Sequence, residues 1–181
     1  MQKDTLDLNL LLSRKNDQWE SSKSVLTYFA NPDEVLFLQD TAAIIRNISF
    51  PFNFYSDIPN KTAFETSKSS GDLYKITNDS LVDLIATYFS DSDLSQYLLT
   101  TKNFTINYSE NVLMKKYRLK EININYLINS AFFKDFEMEN YYAIFSSKVK
   151  LGIFLIGKKI KSNINLMKLI EAEFARDDLK E

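Results

Sequence analysis

Asp91-Ser92-Asp93, directly after the apolar run Leu84–Phe89, is where carboxylates in this chain come closest to the spacing of a metal site. Two acids separated by one residue can hold a divalent cation, as in Mg²⁺-dependent phosphoryl transfer. The apolar residues before them recur at helical spacing, however, and Asp and Ser at a break between helices also serve as caps. Asp135, Glu137 and Glu139 form a second acidic group. They would share one face of an extended segment, or else make a solvated acidic turn. A nuclease-type acid-x-Lys step occurs once, at Asp178-Leu179-Lys180.

Two absences narrow the chemistry. The chain has no His and no Cys. Catalytic triads, Cys–His pairs and a histidine base are excluded, and zinc, haem-thiolate and iron–sulfur sites lose their usual ligands. The glycines, Gly71, Gly152 and Gly157, cannot form a dinucleotide fingerprint or a P-loop. Carboxylate–metal, lysine and tyrosine chemistry remain. No cofactor is expected.

The cations are unevenly placed. The first half of the chain is net acidic and the second half net basic, within a total of −2. Lys148, Lys150, Lys158, Lys159, Lys161 and Lys168 follow one another with no acid between them, and Lys115, Lys116, Arg118 and Lys120 precede them. On strands, Lys148 and Lys150 share a face, as do Lys116, Arg118 and Lys120. Adjacent strands would make a basic sheet face for nucleic acid, with Lys158 and Lys159 in the turn beyond it and Tyr117, Tyr141 and Tyr142 as stacking surface. Lysines simply facing solvent are the competing reading.

Aromatic residues reach 14%, which fills cores and also makes binding faces. Phe50, Phe52, Phe54 and Tyr55 are the expected protein-interface patch, with core burial as the alternative.

The elements that would position these groups can be read in order. Trp19, Val25, Leu26 and Phe29 share a helical face after a polar break at residues 13–17. Asn31-Pro32-Asp33-Glu34 has the chemistry of a helix start, with Val35, Leu38, Ala42 and Ile45 inward as far as about Asn47. Phe50–Tyr55 alternates like an edge strand, which Pro51 bars from a central position. Asn78-Asp79-Ser80 opens a further helix, and a short one follows the break at residues 90–93 and runs through Leu99.

From Phe104 the pattern alternates. A hairpin turn is expected at Ser109-Glu110-Asn111, strands over 113–119, 122–128 and 141–156, and a turn at Gly157-Lys158-Lys159. A last helix from Ser162 or Asn163 carries Leu166, Met167, Ile170 and Phe174 inward. The expectation is an α+β fold: N-terminal helices, an antiparallel sheet formed mainly by residues 103–157, and a C-terminal helix. Residues 1–181 form a single domain with a possible subdomain break within 56–75.

Met1-Gln-Lys-Asp is not the start of a leader, no apolar run is long enough for a membrane, and cysteine is absent, so a cytoplasmic protein without membrane insertion is expected. The wealth of Asn, Ile, Lys, Phe and Tyr is that of AT-rich genomes, such as those of plasmids, phages and viruses. The expected function is a non-enzymatic interaction or assembly protein that docks on a protein partner or on itself. Nucleic-acid binding by the basic face is the alternative, and a Mg²⁺-dependent nuclease or phosphoryl transferase using Asp91 and Asp93 is the third.

Overall fold

A computed structural model describes residues 2–31, 41–53, 62–90, 92–117 and 131–177. About 93% of these are helical, and none is in a strand. The helices are α1 (Gln2–Ala30), α2 (Thr41–Ser49), α3 (Thr62–Ser69), α4 (Asp79–Ser90), α5 (Asp93–Tyr108), α6 (Met114–Tyr117) and α7 (Phe136–Asp177). Short 3₁₀ turns occur at Phe50–Phe52, Asp72–Lys75 and Phe132–Lys134, and a π-helical turn at Ser109–Leu113. The expected α+β fold with its antiparallel sheet is therefore wrong, and the chain is helical.

The reason lies in which residues occupy the buried seams. Along α7, Met138, Tyr142, Phe145, Val149, Gly152, Ile156, Lys159, Asn163 and Leu166 are all buried. Their spacing alternates four and three, the heptad period of packed helices. Gly152, Lys159 and Asn163 break the apolar pattern, leaving Val149-x-Leu151-x-Ile153-x-Leu155 to look like a strand. In the helix Leu151 is half exposed while Gly152 is buried. α5 hides its period in the same way. Its seam is Leu94, Leu98, Thr101 and Thr105, so threonines occupy positions that Phe104 and Ile106 advertised.

α1 repeats the pattern with Asp4, Leu8, Leu11, Lys15, Gln18, Ser22, Val25 and Phe29 buried. The expected polar break at residues 13–17 is helix interior. Two buried hydroxyls are satisfied inside their own helices: Ser22 Oγ donates to the Gln18 carbonyl (2.7 Å) and Thr105 Oγ1 to that of Thr101 (3.0 Å).

Caps set several boundaries. Asn78 Oδ1 accepts the Leu81 N–H at 3.2 Å, opening α4 where the sequence indicated. Asp135 Oδ1 accepts the Glu137 N–H at 2.9 Å and opens α7, some 27 residues ahead of the expected start. The proposed turn Gly157-Lys158-Lys159 is inside α7, and the proposed hairpin turn is the π-helical Ser109–Leu113. In α2, Ile44 and Ile48 are buried and Ala42 is exposed, so the inward stripe is rotated from the one expected. Pro32, Asp33 and Glu34 of the expected helix start, and the strand over 122–128, lie outside the described residues.

The chain divides into two compact units: Met1–Leu12, Asp57–Ser95 and Phe154–Glu181 (unit 1), and Ser13–Ser56 and Gln96–Ile153 (unit 2). Unit 2 is built on rings. Phe29, Phe132, Phe133, Tyr141, Tyr142 and Phe145 are buried together with Val25, Ile44, Ile48, Met138 and Val149. Tyr108, Phe104 and Phe52 stack on Tyr141 at 3.9, 5.4 and 5.8 Å between ring centres. Tyr142 donates to the Ile48 carbonyl at 2.8 Å. In unit 1, Leu81, Ile85, Tyr88 and Leu166 are buried together, Phe64 stacks on Phe89 at 4.6 Å, and Leu8, Leu11, Leu94 and Ile156 are buried as well.

Candidate functional site

Unit 1 leaves apolar surface uncovered. Leu6 is 70% exposed on α1, Ile164 is partly exposed on α7, and Phe174 is 69% exposed one turn past Ile170. Leu6, Ile164 and Met167 line an open groove of about 440 Å³ with Thr5, Lys168 and Glu171. Its floor is pinned by polar contacts: Asn163 Nδ2 donates to Thr5 Oγ1 at 2.9 Å, and that hydroxyl sits 3.9 Å from Met167 Sδ. A smaller hollow of about 240 Å³, between α4 and the other side of α7, includes half-exposed Leu84 and Leu169. An apolar groove with a few polar groups at its edge suits a helix laid into it.

Lys159 of α7 is buried in unit 1. Its Nζ donates to the Tyr88 carbonyl and stands 4.0 Å over the Tyr88 ring. Unit 2 holds a buried cation of its own. Lys15 Nζ donates to Gln18 Oε1 at 2.8 Å, and Gln18 Nε2 donates onward to the Asn53 carbonyl at 2.8 Å. Burial pulls the Lys15 amine down to about 8, because the protein interior penalises its charged form.

The expected site residues fall in different places. The basic sheet face does not exist, since its residues lie on helices or outside the described residues. Lys148 packs over the Phe104 ring at 5.1 Å, Lys150 and Lys158 are exposed, and Lys159 is buried. On a helix, Lys148 and Lys150 point about 200° apart. Lys116 bridges Asp135 (2.7 Å) and Glu137 (3.1 Å), whose hydrogen bonds, Asp135 first, raise its pKa. That pairing also accounts for two members of the acidic group at 135–139. Arg118 and Lys120 lie outside the described residues.

In the aromatic patch, Phe50 and Phe52 form a 3₁₀ turn rather than a strand, and the Phe52 ring lies flat on Tyr141. Phe54 and Tyr55 lie outside the described residues. Asp93 stands in the first turn of α5, where a carboxylate faces the positive end of the helix, and Asp91 is outside the described residues. Among the described residues no three acids gather where they could share a metal ion.

Sequence reasoning gave Leu6 and Glu171 no role, read Gly157 as part of a turn and Lys168 as part of a basic run, and placed Phe174 inward. One periodic signal marked the α7 stripe. Gly157, Ile160, Ile164, Met167, Glu171 and Phe174 recur at alternating steps of three and four, one residue beyond the inner seam.

The fold and the groove define a class: a chain that is helical through its described residues, whose long helices carry polar heptad seams and whose α1–α7 groove is open. No protein-family model, curated protein or solved structure matches the chain. Among the described residues, no helix is long and apolar enough to cross a membrane.

Proposed function

We propose that this chain is a non-enzymatic interaction and assembly protein that docks a helical partner on the α1–α7 face of unit 1. The observation that carries the reading is the groove itself. Leu6 stands 70% exposed beside Ile164 and Met167, outside the buried seam of α1. Covering one such side chain is worth about 1.5–3 kcal/mol, so a few of them support specific binding. The mode is a helix laid in a groove, with Lys168 and Glu171 at its edge.

Nucleic-acid binding through a basic face loses its geometric basis with the sheet, and no observation favours it. The phosphoryl-transfer reading fares no better. Asp93 has the position of a helix-start residue.

Site-directed photo-cross-linking tests the proposal. The full chain carries the photoreactive side chain at Leu6 or, as a control, at exposed Asn16 on the same helix. A discrete adduct from Leu6 and none from Asn16 is expected, whether the partner is another protein or another copy. Equal labelling, or none, overturns the reading.

A further inference from the structure

The outward stripe of α7 has a raised end and a hollow end. Phe174 projects into solvent at one end. At the other, a Cβ added to Gly157 would meet nothing within 4 Å. Gly152 differs, because a Cβ there would run into the Tyr97 ring. The chain's own packing therefore explains Gly152 and gives no reason for Gly157, although glycine inside a helix is unfavourable against alanine.

The spacing of these ends is self-complementary. Gly157 and Phe174 lie as far to either side of one midpoint as Ile164 and Met167 lie close to it. Laid antiparallel on a copy of itself about that midpoint, α7 seats each Phe174 over the other copy's Gly157. Ile164 then meets Met167 at the centre, along a seam roughly 26 Å long.

Charge agrees with this register. Lys158 and Lys161 flank the glycine, and Glu171 precedes the phenylalanine by one turn. The antiparallel arrangement brings Glu171 level with Ile160 of the other copy, next to Lys161, at both ends. Among the described residues these three side chains have no ion pair or hydrogen bond, so a facing copy competes with no existing partner. A parallel arrangement would set lysine on lysine and Phe174 on Phe174.

We infer that the occupant of this face is a second copy of the chain, with α7 pairing antiparallel to α7 about a twofold axis between Ile164 and Met167, and Leu6 and Leu10 of α1 widening the contact. The inference rests on the docking reading above. It narrows that reading to an isologous interface, in which one patch serves as both surfaces.

Sedimentation velocity on the full chain over a hundredfold concentration range tests it. The wild type is expected to pass from one to two chains. Gly157→Leu fills the hollow and is expected to give a monomer with undiminished helix content and thermal stability. Glu171→Lys alone, and Lys158→Glu with Lys161→Glu, each set like charges together and are expected to weaken pairing at least tenfold. An equimolar mixture of these two variants restores opposite charges and is expected to recover the dimer.

A wild type that stays monomeric throughout overturns the inference, and so does a Gly157→Leu dimer as tight as wild type or a mixture that fails to recover. A monomer that still gives a Leu6 adduct with a different protein would leave the docking reading standing. A monomer with no adduct removes both.

Discussion

The two units differ in how their buried rings are arranged and in whether their exposed apolar side chains line a groove. Unit 2 packs ring on ring: Tyr141 alone contacts Phe52, Phe104, Tyr108, Tyr142 and Phe145. Both units bury polar side chains, Lys15 and Gln18 in unit 2 and Lys159 and Asn163 in unit 1. Both also leave apolar ones in water, Leu99, Phe136 and Leu151 in unit 2 and Leu6, Ile164 and Phe174 in unit 1, where Leu6 and Ile164 line one groove. A surface that is satisfied internally stabilises the fold, and one left open is available to bind. On the proposal above, unit 2 is the stabilising part and unit 1, with its groove, the docking part.

Several substitutions sharpen or break that contrast. The largest effect is expected in unit 2. Phe145→Ala removes a fully buried ring and should cost about 3–5 kcal/mol in denaturant unfolding. A loss under ~1 kcal/mol would mean that the aromatic cluster is not the main store of stability. Next comes the comparison of two glycines on one helix. Gly152→Ala pushes on the Tyr97 ring and should destabilise by about 1–3 kcal/mol, whereas Gly157→Ala meets open space and should stabilise by up to ~1 kcal/mol. Equal effects of one sign would show that the two sites are not distinguished by packing.

Lys15 gives a pH-dependent prediction. Its folded pKa, about 8, lies below the usual value of 10.5, so the unfolded chain holds the proton more tightly. Stability should therefore rise with pH from about 8 towards 10. Above 10 the trend reverses. Burial raises the pKa of Tyr97 to about 12, so its fold contribution is lost as the unfolded chain begins to ionise. Buried Tyr141 and Tyr142 act in the same direction. Lys15→Met should abolish the rise and add about 1–2 kcal/mol at pH 7, the relieved burial cost being partly offset by the acceptor left on Gln18. A rise that survives in Lys15→Met would assign it to another group. The smallest effect is Leu6→Ser, expected within ~0.5 kcal/mol of wild type in unfolding because the side chain is already in water.

The helices that were legible in the sequence are those whose seams are apolar. α4, with Leu81, Ile85 and Tyr88 behind the Asn78 cap, could be read directly. The end of α1, with Val25 and Phe29, was equally plain. α5 and α7 were misread because Thr101, Thr105, Gly152, Lys159 and Asn163 occupy buried positions. The Ile, Val, Phe and Tyr residues beside them favour strands when taken one at a time. Burial there follows the heptad period, which outweighs local preference once long helices pack. The groove was illegible for a related reason. Leu6 and Ile164 look like any core residue in sequence, and only the fold shows which apolar side chains lack cover.

Backbone hydrogen exchange on the full chain, measured dilute and concentrated, tests the central contrast most directly. Added protection on concentration should fall on residues 157–174 of α7 and on the first turns of α1, with the Tyr141 region of unit 2 unchanged. Concentration-independent exchange along α7, or added protection confined to unit 2, would contradict the assignment of docking to unit 1.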